Sequence, residues 1–496
     1  MPLPRFAWRP LVALAAVFAA VLTVLSPRYG FHRDELYFLV AGKHLAAGYV
    51  DQPPLTPLLA RVSTAVFGES PAGLRVVATL TGVAVVLLVA LVARELGGGR
   101  GAQVAAALCT AVSVFFVATA HMVSTATFDV LAWVAAGWLV LRVLRTGNGR
   151  WWLAVGAVAG VSLLNKYLVV LLFGCLAVAL LAVGPRQVLR TWWLPAGIVL
   201  ALLIAAPNLV WQATHGWPQL TVAAGISSDD GTENRLFFLP GQILYISPGF
   251  VPIWIAGIVR LLRDPALRWA RSMALTYPVL AVAVLVTGGK AYYLLPILLI
   301  LLAAGVPPVL TWLGRGRLVL RRALAGFVLV TAALATATGS LPVLPAAALD
   351  DAGILAMNPE SGEQVGWDAL ARTVGTAWRE IPADRRAGAV VFTQNYGQAG
   401  AIAHYGPALG LPQPYSGHMS FHDWGPPPDT ARGPVLLVVQ AGDGGRSTDP
   451  FTDCRTVARN DNGLGLDNEE QGALVLRCDG PHEPWSRLWP DLRRYY

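Results

Sequence analysis

Between residues 10 and 340 the sequence repeats one feature, an apolar run about as long as a bilayer is thick. A membrane-spanning helix needs about 20 predominantly apolar residues. Runs meeting or approaching that length fall near 10–26, 73–93, 101–120, 128–144, 151–165, 167–184, 192–211, 237–259, 270–287, 292–313 and 321–340, the fifth and sixth nearly continuous. Of the 496 residues 55% are hydrophobic and 13% charged, against about 45–50% and about 25% in soluble proteins. From residue 346 onward the composition becomes that of an ordinary soluble protein. The expected fold is mainly α: a polytopic membrane helix bundle of about 11 transmembrane helices over residues 1–340, followed by an extracytoplasmic α/β domain over 341–496.

Charge sets the expected orientation. The net charge of +8 does not point to nucleic acid, because the basic residues lie in short loops between apolar runs. Arg94 and Arg100, then Arg142, Arg145 and Arg150, then Arg186 and Arg190 mark alternate loops. Arg260, Arg263, Arg268 and Arg271 follow, and then Arg315, Arg317, Arg321 and Arg322. These fall on the side of the N terminus, which the positive-inside rule makes cytoplasmic. The chain is thus expected to be a multi-pass plasma-membrane protein. Segments 27–72, 121–127, 165–167, 212–236, 288–291 and the tail share the outer compartment.

The first outer segment, FHRDELYFLVAGKHLAAGYVDQPPLTPLLAR from Phe31 to Arg61, is too long and patterned for a simple connector. Apolar residues at helical spacing after Glu35 suggest a short amphipathic helix along the membrane surface, with Asp34 and Glu35 at its start. Carboxylates at a helix N terminus are favoured by the helix dipole, so capping and catalysis are both open here. Asp129, in HMVSTATFDV, is a second outward acid at the mouth of the bundle. An ionisable group at that depth is costly unless paired or functional. Two outward carboxylates are the parts of an acid/base or substrate-positioning site.

The chain has only three lysines, Lys43, Lys166 and Lys290, and all three fall on the outer side at membrane level. Each is explained singly by snorkelling; together they suit neutralisation of a phosphate at the headgroup plane. Tyr167, Tyr292 and Tyr293 read either as interfacial anchors or as the lining of a sugar site. Residues 212–236, with Asp229, Asp230, Glu233 and Arg235 among Ser and Gly, read as a polar connecting loop. No CxxC or His-rich metal spacing occurs, and no metal or cofactor is expected. Cys109 and Cys175 read as small core hydrophobes. Cys454 and Cys478 share the polar tail and could pair in an oxidising compartment.

The tail carries β-rich runs at 389–394, 434–440 and 473–478, which fit a small α/β domain. NYGQAGAIAHYG at 395–406 follows the first of these. Its glycines suit close helix packing, and their spacing is not that of a dinucleotide loop. His404, His418 and His422 are candidate acceptor contacts, against a default of scattered surface histidines.

Asp34-Glu35 in a first outer loop, followed by Asp51-Gln52-Pro53-Pro54-Leu55, resembles the glycosyltransferase 39 type of the GT-C superfamily, which includes protein O-mannosyltransferases and bacterial aminoarabinose transferases. LLNKY, NLVWQATHGWP, GGKAYYLLP, NYGQAGAIAHYG and HDWGPP are also similar to this group, so the resemblance covers nearly the whole chain. It implies an inverting transfer from a polyprenyl-phosphate sugar to an acceptor glycan, lipid or protein. By matching position Asp34 would be the general base, Glu35 would support the loop or the acceptor, and Asp129 would be a second acid near the site. Lys43, Asp51, Gln52, Arg61, Lys166, Tyr167, Lys290, Tyr292 and Tyr293 are the expected substrate contacts. Gln52 is a departure, since aminoarabinose transferases have a lysine before the paired prolines. This puts aminoarabinose as the donor sugar in doubt, with phosphate contact passing to Lys166, Lys290 or Arg61. A lipid-linked glycan flippase is the competing expectation, but it commonly brings internal repeats and broken helices at mid-bilayer. No convincing repeat is seen, and the polar residues cluster at one face.

Overall fold

The computed structural model describes residues 3–443 and 445–495. The chain divides into two compact units, one of residues 1–26, 52–56 and 72–341, the other of 27–51, 57–71 and 342–496. The second unit thus combines the C-terminal region with two stretches of the first outer segment.

The first unit is helical. Among the described residues seven helices are long and apolar enough to cross a membrane: Trp8–Leu25, Pro71–Glu95, Thr125–Thr146, Trp193–Thr214, Pro265–Thr287, Ala291–Leu313 and Leu318–Ser340. Two bent pairs raise the number to nine: Arg100–Ala111 with Val114–His121, bent by 68°, and Gly231–Leu244 with Pro248–Arg263, bent by 71°. The expected spans at 151–165 and 167–184 are helices Trp151–Leu163 and Leu168–Val183, shorter than the others. Every expected apolar run is therefore helical, but four of the eleven are bent or short.

Burial sorts these helices by position. From Leu295 to Val306 every residue of one helix is buried, as expected of a helix that is apolar all round. Leu318–Ser340 is at the other extreme, with 6% of its apolar window buried and Val319 85% exposed. Such a surface is stable only against lipid. Small residues let helices approach: a Cβ added at Gly160 would lie 2.8 Å from Ile204 Cβ and 2.9 Å from the Ala201 carbonyl oxygen.

Segment 212–236 corrects the sequence reading. It is helical, Pro218–Asp229 followed at once by the helix starting at Gly231. Its polar side chains are used on neighbouring backbone: Arg235 donates to the carbonyls of Leu285 and Val286 at 3.1 and 3.2 Å, at the C-terminal end of the Arg271–Thr287 helix. Free carbonyls at a helix end attract a cation.

The second unit contains a five-stranded sheet in the order 415–416, 390–393, 435–439, 474–478, 455–459. The first three strands run parallel, 474–478 runs antiparallel to 435–439, and 455–459 runs antiparallel to 474–478. Val435–Val439 is buried throughout, as a central strand must be. Cys454 and Cys478 form a disulfide beside the 455–459 and 474–478 pairing. The helix predicted from the glycines of NYGQAG is present as Tyr396–Tyr405, with Asn395 as its N-cap.

In the same unit Arg33–Lys43 is a helix, as its spacing predicts, but not an amphipathic one: Glu35 to Gly42 are all buried. Tyr396–Tyr405 covers it. A Cβ at Gly397 would lie 2.8 Å from Arg33 Cγ, and one at Gly400 would lie 2.9 Å from the Leu36 carbonyl carbon. Glycines three apart on one helix therefore admit residues three apart on the other.

Candidate functional site

In the second unit the functional residues gather at the start of the Arg33–Lys43 helix. His32 is its N-cap. Its side chain accepts from the Asp34 amide at 3.1 Å, while Glu35 reaches back to accept from the His32 amide at 2.9 Å. This reciprocal capping box uses the Glu35 carboxylate structurally, and Glu35 is fully buried. Asp34, one position earlier, keeps about a third of its side chain exposed. Its Oδ1 accepts the Tyr396 hydroxyl at 2.7 Å. Arg33 lies 5.8 Å from the centre of the Tyr396 ring and donates to Glu469 at 2.6 Å.

A second pair repeats this arrangement. The Tyr37 hydroxyl donates to Asp51 Oδ1 at 2.7 Å, and the Tyr37 and Tyr396 rings are 5.1 Å apart. Two carboxylates therefore each hold a phenol across a shared aromatic contact. Burial pushes Asp51 up to about 6, the Asp34 charge adding to it and the Tyr37 bond opposing it. Burial and the Asp34 charge also raise the Tyr396 phenol well above its ordinary value, so it stays a neutral donor.

The remaining second-unit candidates lie further along. Lys43, at the other end of its helix, pairs with Glu69 at 2.9 Å, and His404 bonds the same carboxylate at 3.0 Å. Arg61 is exposed on the Leu55–Phe67 helix. His418 is partly buried and accepts the Tyr396 amide at 3.3 Å; desolvation, with Arg494 and Arg33 nearby, lowers it to about 4, so it is neutral. His422 bonds the Trp489 carbonyl at 2.7 Å, a core contact.

In the first unit Asp129, Lys166, Tyr292 and Tyr293 come together. Lys166 Nζ lies 5.0 Å from the Tyr293 ring centre and 5.7 Å from that of Tyr292, within cation–π range. Its charge and that of Asp129 act on each other. Ser124, with Thr127, caps the helix that carries Asp129. Asp129 is therefore one turn inside the helix rather than its cap, and it is buried. Asn165 ties the neighbourhood together, accepting from Thr56 and donating to the Thr125 carbonyl, both at 2.8 Å. The Leu55 amide donates to the Leu164 carbonyl at 2.8 Å. The end of the DQPPLT stretch is thus fixed beside Lys166. Gln52 is buried, and among the described residues neither of its amide atoms has a hydrogen-bond partner; nor has Asp129 Oδ1. Tyr167 bonds Asn208. Lys290, whose carbonyl accepts the Tyr293 amide at 3.1 Å, is half-exposed, and its ammonium lies 3.7 Å from Asp230.

The sequence did not single out Tyr37, Tyr396 or Arg33. Tyr396 sits 362 positions from Asp34, and no spacing rule links them. The one available signal was NYGQAG, whose glycines bring the tyrosine to the acid.

Residues 51–211 match the family model described as dolichyl-phosphate-mannose-protein mannosyltransferase. That stretch holds Asp51, Gln52, Arg61, Asp129, Lys166 and Tyr167. No curated protein sequence matches the chain. The fold is that of the GT-C membrane glycosyltransferases. In particular, it is similar to ArnT from Cupriavidus metallidurans bound to undecaprenyl phosphate, with a TM-score of 0.56 and 16% identity over 94% of this chain and 97% of that one. The apo state of the same protein gives 0.54 with the same identity and coverage. A looser likeness, with a TM-score of 0.48 and 14% identity over 82% of this chain and 64% of that one, is to the oligosaccharyltransferase AglB from Archaeoglobus fulgidus in complex with an inhibitory peptide and a dolichol-phosphate.

Proposed function

We propose that this protein is an inverting glycosyltransferase that moves a sugar from a polyprenyl-phosphate donor to a hydroxyl acceptor on the outer face of the membrane, with Asp34 as general base. The observation that carries this reading is the state of Asp34 on a GT-C fold. It is a partly exposed carboxylate at a helix start, with one oxygen held by a phenol. The acceptor oxygen forms a bond to the anomeric carbon as its proton passes to the Asp34 carboxylate. The bond from that carbon to the phosphate oxygen breaks, and the polyprenyl phosphate leaves with the electron pair. A phosphate leaving group needs counter-charge as its own charge grows. Lys166 is assigned to that role, since its ammonium is already held among Asp129, Tyr292 and Tyr293. Gln52 and Asp129, buried with unpaired polar atoms, are assigned to donor contacts in the same unit. Glu35 supports the helix start, and Lys43 and Lys290 take surface ion pairs.

The arginine-marked loops support an orientation with the N terminus cytoplasmic and the C-terminal region outside. The test is transfer of label from a panel of radiolabelled polyprenyl-phosphate sugars to membrane extract by purified protein. Label in the acceptor fraction, matched by release of polyprenyl phosphate, is the expected result and identifies the sugar. Failure with every donor would remove the enzymatic reading in favour of transport of a lipid-linked glycan.

A further inference from the structure

The Asp34 carboxylate is completed by a residue from the far end of the chain. Its Oδ1 accepts a 2.7 Å hydrogen bond from Tyr396. Tyr396 is the first residue of the Tyr396–Tyr405 helix, whose start is fixed by Asn395: the Asn395 side chain accepts from the Gln398 amide at 2.9 Å and donates to buried Glu470 at 2.9 Å. Three further contacts hold the phenol. Its ring lies 5.1 Å from that of Tyr37 and 5.1 Å from that of His418, with the Arg33 guanidinium 5.8 Å from its centre. Gly397 and Gly400 set the distance between the two helices. A half-buried tyrosine with a neutral hydroxyl, aimed at a partly exposed carboxylate and clamped by a cap, two rings, a guanidinium and a close helix crossing, has one orientation available.

We propose that Tyr396 is a positioning residue for the base, resting on the assignment of Asp34 above. Binding Oδ1 fixes the carboxylate plane and aims Oδ2 at the acceptor hydroxyl. The C-terminal region thereby supplies part of the catalytic apparatus rather than acceptor contacts alone. Tyr37 is the built-in comparison, a more deeply buried phenol in the same aromatic group, but bonded to Asp51.

A charge-assisted hydrogen bond of this kind is worth roughly tenfold or more in rate when its donor is removed. The experiment measures transfer by wild type, Tyr396→Phe, Tyr37→Phe, Asp34→Asn, Asp34→Glu and Asp34→Glu/Tyr396→Phe, each purified in detergent and checked for polyprenyl-phosphate binding as a sign of intact folding. Expected is a loss of about tenfold in kcat for Tyr396→Phe with donor KM unchanged, and less than about threefold for Tyr37→Phe. In the Asp34→Glu background, where the carboxylate is already displaced, Tyr396→Phe is expected to cost little more, because the two act as one unit. Full activity in Tyr396→Phe with collapse in Asp34→Asn would overturn the positioning role and leave the base assignment standing. An undiminished loss on top of Asp34→Glu would also overturn it, since Tyr396 would then act independently of the carboxylate. Wild-type transfer by Asp34→Asn would overturn both assignments.

Discussion

Replacing Gly400 with alanine adds one methyl group where the helix carrying Tyr396 crosses the helix carrying Asp34. The added carbon would sit 2.9 Å from both the carbonyl carbon and the Cβ of Leu36, and 3.1 Å from its carbonyl oxygen. Ordinary contact begins near 3.4 Å, so the helices must part by about 0.5 Å. Two of the three atoms met are backbone, which no rotamer change can move. Overpacking of this kind costs about 1–3 kcal/mol, set against a helix-propensity gain of up to about 1 kcal/mol for alanine over glycine. Gly174 gives the control. It lies in the Leu168–Val183 helix, and a Cβ there would meet nothing within 4 Å, so Gly174→Ala should collect the gain without the cost. The same chemical change is therefore expected to have opposite signs at the two positions, with melting temperatures differing by about 1–3 °C in a chain of this length. Transfer should fall as well for Gly400→Ala, because a shift of about 0.5 Å stretches the 2.7 Å bond between Tyr396 and Asp34 towards its useful limit. Thermal unfolding in detergent and the transfer rate, measured on the same preparations, provide the assay. Gly400→Ala as stable as Gly174→Ala would refute the packing account of NYGQAG.

Glu35→Gln should keep both the capping box and transfer, because glutamine serves that position, whereas Glu35→Ala should lose about 1–2 kcal/mol of stability; inactivity of a stable Glu35→Gln would show that the carboxylate has a chemical role. Lys166→Met should weaken polyprenyl-phosphate binding by roughly tenfold or more, while Lys43→Met, which breaks only the exposed pair with Glu69, should leave binding unchanged; isothermal titration of both variants decides this. For Asp51 the folded-state value is raised from 3.8 to about 6, so the folded protein binds the extra proton and the stabilisation, complete below about pH 4, is lost as pH rises through 6. Asp51→Asn should therefore gain stability relative to wild type by up to about 3 kcal/mol between pH 4 and pH 7, and a difference independent of pH would show that Asp51 is not held as described.

Much of the helical unit was legible because lipid imposes a single requirement, an apolar run of sufficient length, and each such run proved helical. The bends at 112–113 and 245–247 were not, since apolar composition is silent about where a helix breaks. Segment 212–236 misled because Ser, Gly and Asp favour turns locally, while its Arg235 is drawn onto carbonyls from 50 residues away. Asp34 stood out by sequence, and so did Lys166, by the scarcity of lysine. Their surroundings did not. The burial of the Arg33–Lys43 helix depends on a glycine face more than 350 residues later, and the phenol at Asp34 arrives by the same route. Local periodicity reads one helix at a time and cannot report what covers it.

The base assignment is tested most directly by sugar transfer at saturating donor for Asp34→Asn, with binding of polyprenyl phosphate followed in parallel. Loss of the carboxylate that accepts the acceptor proton should reduce turnover by about 100-fold or more while leaving lipid-phosphate binding intact. Turnover equal to wild type would contradict the central claim.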